Sequence, residues 1–170
     1  MTIKLAPSTS RYILPVDIDG KSGVILMKAS FINRSKRVAR YTLFDSWGPI
    51  VIDNQGVDRT MEYKRDWLRA LERNDGPRIR PGGSFNITIR SRVIKGADGT
   101  NWYISDGVGG TWVLKGIEAG RYKFCIRYFV PPNSSTNAML SERFGWNVKE
   151  LWGGVGVSNW VDVELNAGGK

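Results

Sequence analysis

Residues 117–128, IEAGRYKFCIRY, carry the pattern that decides the fold. Tyr122, Phe124, Ile126 and Tyr128 fall on one side of an alternating run, and Lys123, Cys125 and Arg127 fall on the other. That is the period of a β-strand with one buried face, and it predicts a central strand. Just upstream, Ile117, Gly120 and Tyr122 form an apolar-x-x-Gly-x-Tyr step that leads into it.

Outward from this strand the alternation recurs. Val161, Val163 and Leu165 alternate with Trp160, Asp162 and Glu164, and Phe85, Ile87 and Ile89 follow a Pro81-Gly82-Gly83 turn. Ile25, Met27, Ala29 and Phe31 share one face of a long strand over Val24–Ile32, with Val24 and Leu26 making its other face apolar near the start. Tyr12–Val16 reads as the first strand, held to an edge or a strand end by Pro15. Asn33–Arg37 interrupts the period before Ala39, Tyr41 and Leu43 resume it, which predicts a hairpin with a basic tip. Trp47-Gly48-Pro49 is expected to end that strand, ahead of a short apolar run, Ile50–Ile52, and a turn at Asp53–Gly56. Over residues 60–74 the period changes, and Met61, Leu68 and Leu71 fit one side of a short helix that Gly76-Pro77 would stop. Tyr63 and Trp67 fit an irregular crossing between sheets equally well. Lys95–Gly110 and Pro131–Ser141 read as loops. With no internal repeat and no linker composition, residues 1–170 are expected to form a single β-sandwich domain.

The Ile117–Tyr122 step resembles the tyrosine corner of immunoglobulin-like sandwiches, where a Tyr at the start of a late strand hydrogen-bonds back to the preceding turn. Trp152-x-Gly154, the Ser158-Asn159 pair ahead of the last strand, and Pro81-Gly82 before Phe85 extend a resemblance to bacterial immunoglobulin-like domains. This implies an all-β, antiparallel, immunoglobulin-like sandwich of a kind that mostly binds or builds. An eight-stranded jelly roll is the alternative. Two departures stand out: Ala119 occupies a position where many such domains have Pro, and residues 58–76 are longer than the fold needs.

Composition removes much chemistry. The 170 residues are long enough to bury roughly 70% of the surface of the unfolded chain, so neither metal nor disulfide is needed for folding. There is no histidine, which excludes His-dependent hydrolases and imidazole-ligated metal centres. The single cysteine, Cys125, forms no intrachain bridge and reads as a small filler on the second face of its strand. Asp17-Ile18-Asp19-Gly20 begins like a calcium loop, but Lys28 stands at the twelfth position where a bidentate Glu is required, so the segment reads as a turn. No cofactor or metal is expected. No run of residues is apolar enough for a transmembrane segment, and the N-terminus lacks the apolar core of a signal peptide. Cytoplasmic synthesis and a mature exported domain both fit, and the Asn-x-Ser/Thr triplets at Asn33, Asn86 and Asn133 barely favour the second.

Four constellations bear on function. A net charge of +9 favours acidic partners, and Arg34, Lys36, Arg37 and Arg40 place four cations in seven residues with no acid among them. This basic tip is the candidate nucleic-acid site, and a solvated hairpin end is the alternative. Gly107-Val108-Gly109-Gly110 lacks the Lys-Ser/Thr of a phosphate loop and is similar to one loop of immunoglobulin-like protease inhibitors, whose companion Asn-Pro-Thr-Thr segment is missing here. The acid pairs Asp17/Asp19 and Asp53/Asp58 lie in turns, where carboxylates rarely face across a cleft. Trp146, Trp152 and Trp160 form the candidate protein-docking cluster, with Trp160 on the strand face opposite the core. A non-enzymatic protein-binding or structural module, a subunit of a homo- or hetero-oligomeric assembly, is therefore expected. The alternatives are a basic nucleic-acid-binding protein and a protease inhibitor.

Overall fold

Tyr122, Phe124, Ile126 and Tyr128 are all buried, and the strand that carries them is the centre of one of two facing sheets. The computed structural model describes residues 1–7, 11–13, 23–43, 46–65, 72–97, 99–131 and 134–166. In chain order these hold β1 (Thr2–Pro7), β2 (Arg11–Ile13), β3 (Gly23–Ile32), β4 (Ala39–Arg40), β5 (Trp47–Ile52), β6 (Glu62–Arg65) and β7 (Arg78–Ile79). There follow β8 (Ser84–Gly96), β9 (Gly99–Ser105), β10 (Gly110–Leu114), β11 (Gly120–Val130), α1 (Ser135–Phe144), β12 (Gly154–Val157) and β13 (Val161–Asn166). Short 3-10 turns occupy Arg73–Asp75 and Val148–Glu150.

The wider sheet runs β1-β3-β8-β9-β10-β6, six strands, all antiparallel neighbours. In the narrower sheet β5 lies along one side of β11, while β13 and then β12 share its other side, and β2 adds in parallel to β13. The chain is thus an all-β, mostly antiparallel sandwich, as the alternation predicts. Aromatic pairs bind the layers together: Trp102 of β9 lies 5.8 Å from Phe124 of β11, and Phe31 of β3 meets Tyr128 edge-on at 5.8 Å. The Tyr122 hydroxyl donates to the Glu118 carbonyl at 3.0 Å and accepts from the Glu118 N–H at 3.2 Å, closing the expected corner.

Ser158 and Asn159 sit where the partner of β11 changes from β12 to β13. Ser158 exchanges hydrogen bonds with the Ile126 backbone through its own N–H and hydroxyl. The Asn159 amide imitates a strand neighbour for β1: its Oδ1 accepts from the Leu5 N–H at 2.8 Å and its Nδ2 donates to the Leu5 carbonyl at 2.9 Å. The edge of the wide sheet is thereby joined to the narrow one.

Several expectations are corrected. The segment after β3 is no hairpin, because β4 pairs with β7 rather than folding back on β3. The buried Asn33 explains the departure, since its Nδ2 donates to the carbonyls of Arg37 and Ile79 while its backbone bonds Gly82 and Gly83. That burial also removes Asn33 as a glycosylation acceptor. Within 60–74, residues 62–65 are strand and a 3-10 turn starts at Arg73; residues 66–71, with Trp67, Leu68 and Leu71, on which most of the expected short helix falls, lie outside the described residues. β9 runs through the middle of the loop expected over 95–110, and α1 replaces the loop expected over 131–141 from Ser135 onward. β5 continues through Pro49, which an edge strand tolerates because a proline nitrogen can face outward without breaking the ladder. β1 precedes the strand expected to be first; of that strand Tyr12 and Ile13 belong to β2, and residues 14–20, including the Asp17/Asp19 turn, lie outside the described residues.

An aromatic cleft at the open side of the sandwich

The expected basic tip and tryptophan cluster are both divided by the fold. Arg34, Lys36 and Arg37 are exposed on the corner after β3. Arg40 is turned inward: its Nη1 donates to the Gly76 carbonyl at 2.7 Å, and its guanidinium lies 4.5 Å over the Trp146 ring. Burial draws its pKa below the ordinary value, with Glu150 opposing the shift. Trp146 is itself buried, stacked on Phe144 at 5.1 Å, and a Cβ at Gly76 would run into its ring. Trp152 is half-buried against Tyr41 and Tyr128, at 5.8 and 5.3 Å, so it caps the end of the core. Trp160 alone of the three is out, at 44% exposure.

A broad concavity lies elsewhere among the described residues. β6 and β10, at one edge of the wide sheet, stand across from β5, at one edge of the narrow one, and enclose a cleft of about 620 Å3 between them. Its walls are aromatic. Tyr63 of β6 and Trp112 of β10 pair directly across their strands, with ring centroids 4.5 Å apart. Trp112 lies against the backbone of β5, where a Cβ on Gly48 would come within 3.0 Å of its ring. Trp47, Pro49 and Phe129, with Leu43 and Ile50, add to the apolar lining, and Ser46, Asp58, Asp106 and Arg127 are among its polar residues. A pocket of this size with few polar groups is the form small binding sites usually take.

Asp106 and Tyr63 are already engaged. Asp106 Oδ2 accepts from the Tyr63 hydroxyl at 2.7 Å, and its Oδ1 accepts from the N–H groups of Val108 and Gly110, both at 2.8 Å. Those bonds turn the Gly107–Gly110 loop in on its own aspartate, and Val108 is buried within it. Arg65 donates to the Tyr63 oxygen at 2.8 Å. Burial, then the hydrogen bond to Asp106, pushes the Tyr63 phenol from 10.0 up to about 12, so it remains a neutral donor at ordinary pH.

Cys125 of β11, paired with Ile50 of β5, is fully buried, and burial followed by the charge of Asp58 pushes its thiol from 9.0 to about 11. A raised pKa means that the fold favours the neutral thiol. The stability this provides is complete below about pH 9 and is lost as pH rises toward 11. Denaturant unfolding at pH 8 and pH 10.5 is therefore expected to show a decline that Cys125→Ala reduces, and the folded protein is expected to resist thiol reagents at pH 8. Rapid labelling at pH 8 without unfolding would contradict this placement.

Phe129 and Arg127 line the cleft and also begin a second surface. Across the β11–β12 ladder Phe129 faces Val155 and Arg127 faces Val157, and the Arg127 guanidinium rests 5.8 Å from the Phe129 ring. Phe129, Val155, Val157 and Trp160 are 46, 55, 52 and 44% exposed, an apolar row leading away from the cleft. The sequence carries a signal for this row, since Phe129 is the one aromatic on the wrong side of the β11 alternation and Val155 and Val157 alternate with glycines. Tyr63 and Trp112 carry none, being brought together only by strand pairing. No family model, no curated protein and no solved structure matches the chain.

Proposed function

We propose that this protein is a non-enzymatic docking module, a subunit of a larger protein assembly. One observation carries the reading: the aromatic cleft runs, through Phe129, into the exposed row of Val155, Val157 and Trp160. Exposed apolar side chains that adjoin an aromatic cleft mark protein contacts more often than solvent faces. The cleft favours inserted side chains over an added strand. Pro49 leaves the free edge of β5 short of a donor, and the β6 edge carries Glu62, Lys64 and Arg65. An aromatic or aliphatic anchor from the partner would fill the space between Trp112 and Trp47. The Tyr122 corner supports an immunoglobulin-like relationship, a class in which binding of this kind is common. Among the described residues no helix is long and apolar enough to cross a membrane.

Light scattering on the purified chain tests the proposal, combined with capture of partners from a lysate of the source cells. Concentration-dependent mass or a retained protein is expected, and Phe129→Asp or Trp160→Ala is expected to weaken either at least tenfold. A strict monomer at high concentration that retains nothing, and is unchanged by both substitutions, would sink the reading.

A further inference from the structure

The two outer faces of the sandwich treat their charges differently. On the narrow sheet Lys123 lies opposite Asp162 and Arg121 opposite Glu164, so cations are matched by acids across the β11–β13 ladder. Across the β1, β3, β8 and β9 ladders of the wide sheet no acid matches them. β1, β3, β8 and β9 contain no Asp or Glu at any position, yet Lys4, Lys28, Arg90 and Arg92 all project from their outer face. Among the described residues none of these four is in a salt bridge.

Register places them together. Lys4 lies beside Ser30, which pairs with Asn86; Lys28 pairs with Thr88; Leu26 pairs with Arg90; and Val24, Arg92 and Tyr103 form one continuous row. Arg90 and Arg92 are therefore about 7 Å apart along one strand. A half-buried tyrosine stands next to one of them, with Val24 at 51% and Leu26 and Ile94 at 37% exposure on the same face. This aromatic neighbour is invisible in the sequence, where Arg92 and Tyr103 are separated by a turn.

We propose that the outer face of the wide sheet binds single-stranded nucleic acid, with Lys4, Lys28, Arg90 and Arg92 on phosphates and Tyr103 under a base. Unpaired cations give phosphates a site that no internal carboxylate occupies, and an aromatic with apolar neighbours on a sheet offers the base faces of a single strand something to stack on. A duplex keeps those faces hidden. A membrane is less well served, since the apolar side chains here lie on strands rather than on an amphipathic helix that could enter a headgroup layer. This face lies across the sandwich from Val155 and Trp160, so the inference stands or falls separately from the docking surface.

Fluorescence anisotropy with labelled single-stranded 20-mers of uridine and thymidine, a duplex of equal length, and anionic vesicles provides the test. Four phosphate contacts predict that single-strand affinity falls about 50-fold between 50 and 200 mM salt. Arg90→Gln with Arg92→Gln is expected to weaken binding at least tenfold and flatten the salt dependence, and Tyr103→Leu to weaken it with the salt slope unchanged. Arg34→Gln, Lys36→Gln and Arg37→Gln together, on the separate corner, are expected to have less than a twofold effect. Far-UV circular dichroism confirms that each variant is folded, and the glutamine and corner variants leave the core untouched. Absence of single-strand binding at 50 mM salt would overturn the proposal. So would equal affinity for the duplex, binding to vesicles alone, or sensitivity to the corner variant in place of the sheet variants.

Discussion

Trp102→Ala is expected to lower the unfolding free energy by about 3–5 kcal/mol, the range for truncating a large buried aromatic. Trp102 has no exposed surface, lies between Val93 and Leu114 in the wide sheet, and reaches Phe124 in the narrow one. Removing it leaves a cavity at the contact between layers, and neighbouring strands held by their ladders cannot collapse far to fill it. Against a typical total of about 5–15 kcal/mol, such a loss brings the domain close to unfolding at ordinary temperature. Trp102→Phe keeps most of the contact and is expected to lose about half as much or less. Urea unfolding of the three proteins decides the matter, and an alanine variant within 1 kcal/mol of the parent would show that Trp102 does not hold the layers together.

Tyr122→Ala comes next, at about 3 kcal/mol or more, because it combines a cavity with a lost hydrogen bond. The two components can be separated. Tyr122→Phe keeps the ring in the core but removes the oxygen that both donates to and accepts from the Glu118 backbone, and is expected to cost about 1–2 kcal/mol. Equal losses for Phe and Ala would mean that the hydroxyl alone matters and that the ring contributes no packing.

These two residues also mark the difference between what the sequence reveals and what it hides. Tyr122 belongs to a run whose period announces a strand, and β13 and the first half of β8 were equally legible because one face of each is apolar and the other wet. Trp102 lies in a stretch of glycine and aspartate that composition assigns to a loop, although Trp102 and Ile104 alternate with Tyr103 as a strand requires. α1 was hidden for the opposite reason. Its cap signals were present, with Ser134 accepting from the Asn137 N–H and Gly145 in the left-handed conformation, but Leu140 is its one fully buried apolar side chain and no stripe reaches the threshold of a pattern. The candidate site suffered most. Arg40 and Trp146 read as surface groups in isolation, yet the fold lays the Arg40 guanidinium over the buried Trp146 ring and lets its Nη1 donate to the Gly76 carbonyl. The cleft depends on two sheets of unequal width, a property of topology that no local window contains.

The Asn159 amide that completes the edge of β1 joins residues separated by 154 positions, so it ties the beginning of the sandwich to material made long afterwards. At about 5–20 residues per second, a ribosome takes about 8–30 s to traverse that interval. Throughout it, the Leu5 backbone waits without its partner, able to pair with a neighbouring nascent chain. A contact that is absent from the folding transition state acts on how fast the finished protein opens rather than on how fast it folds. If Asn159 is such a latch on lifetime, Asn159→Ala is expected to hasten unfolding more than it slows folding, a split that stopped-flow kinetics would read.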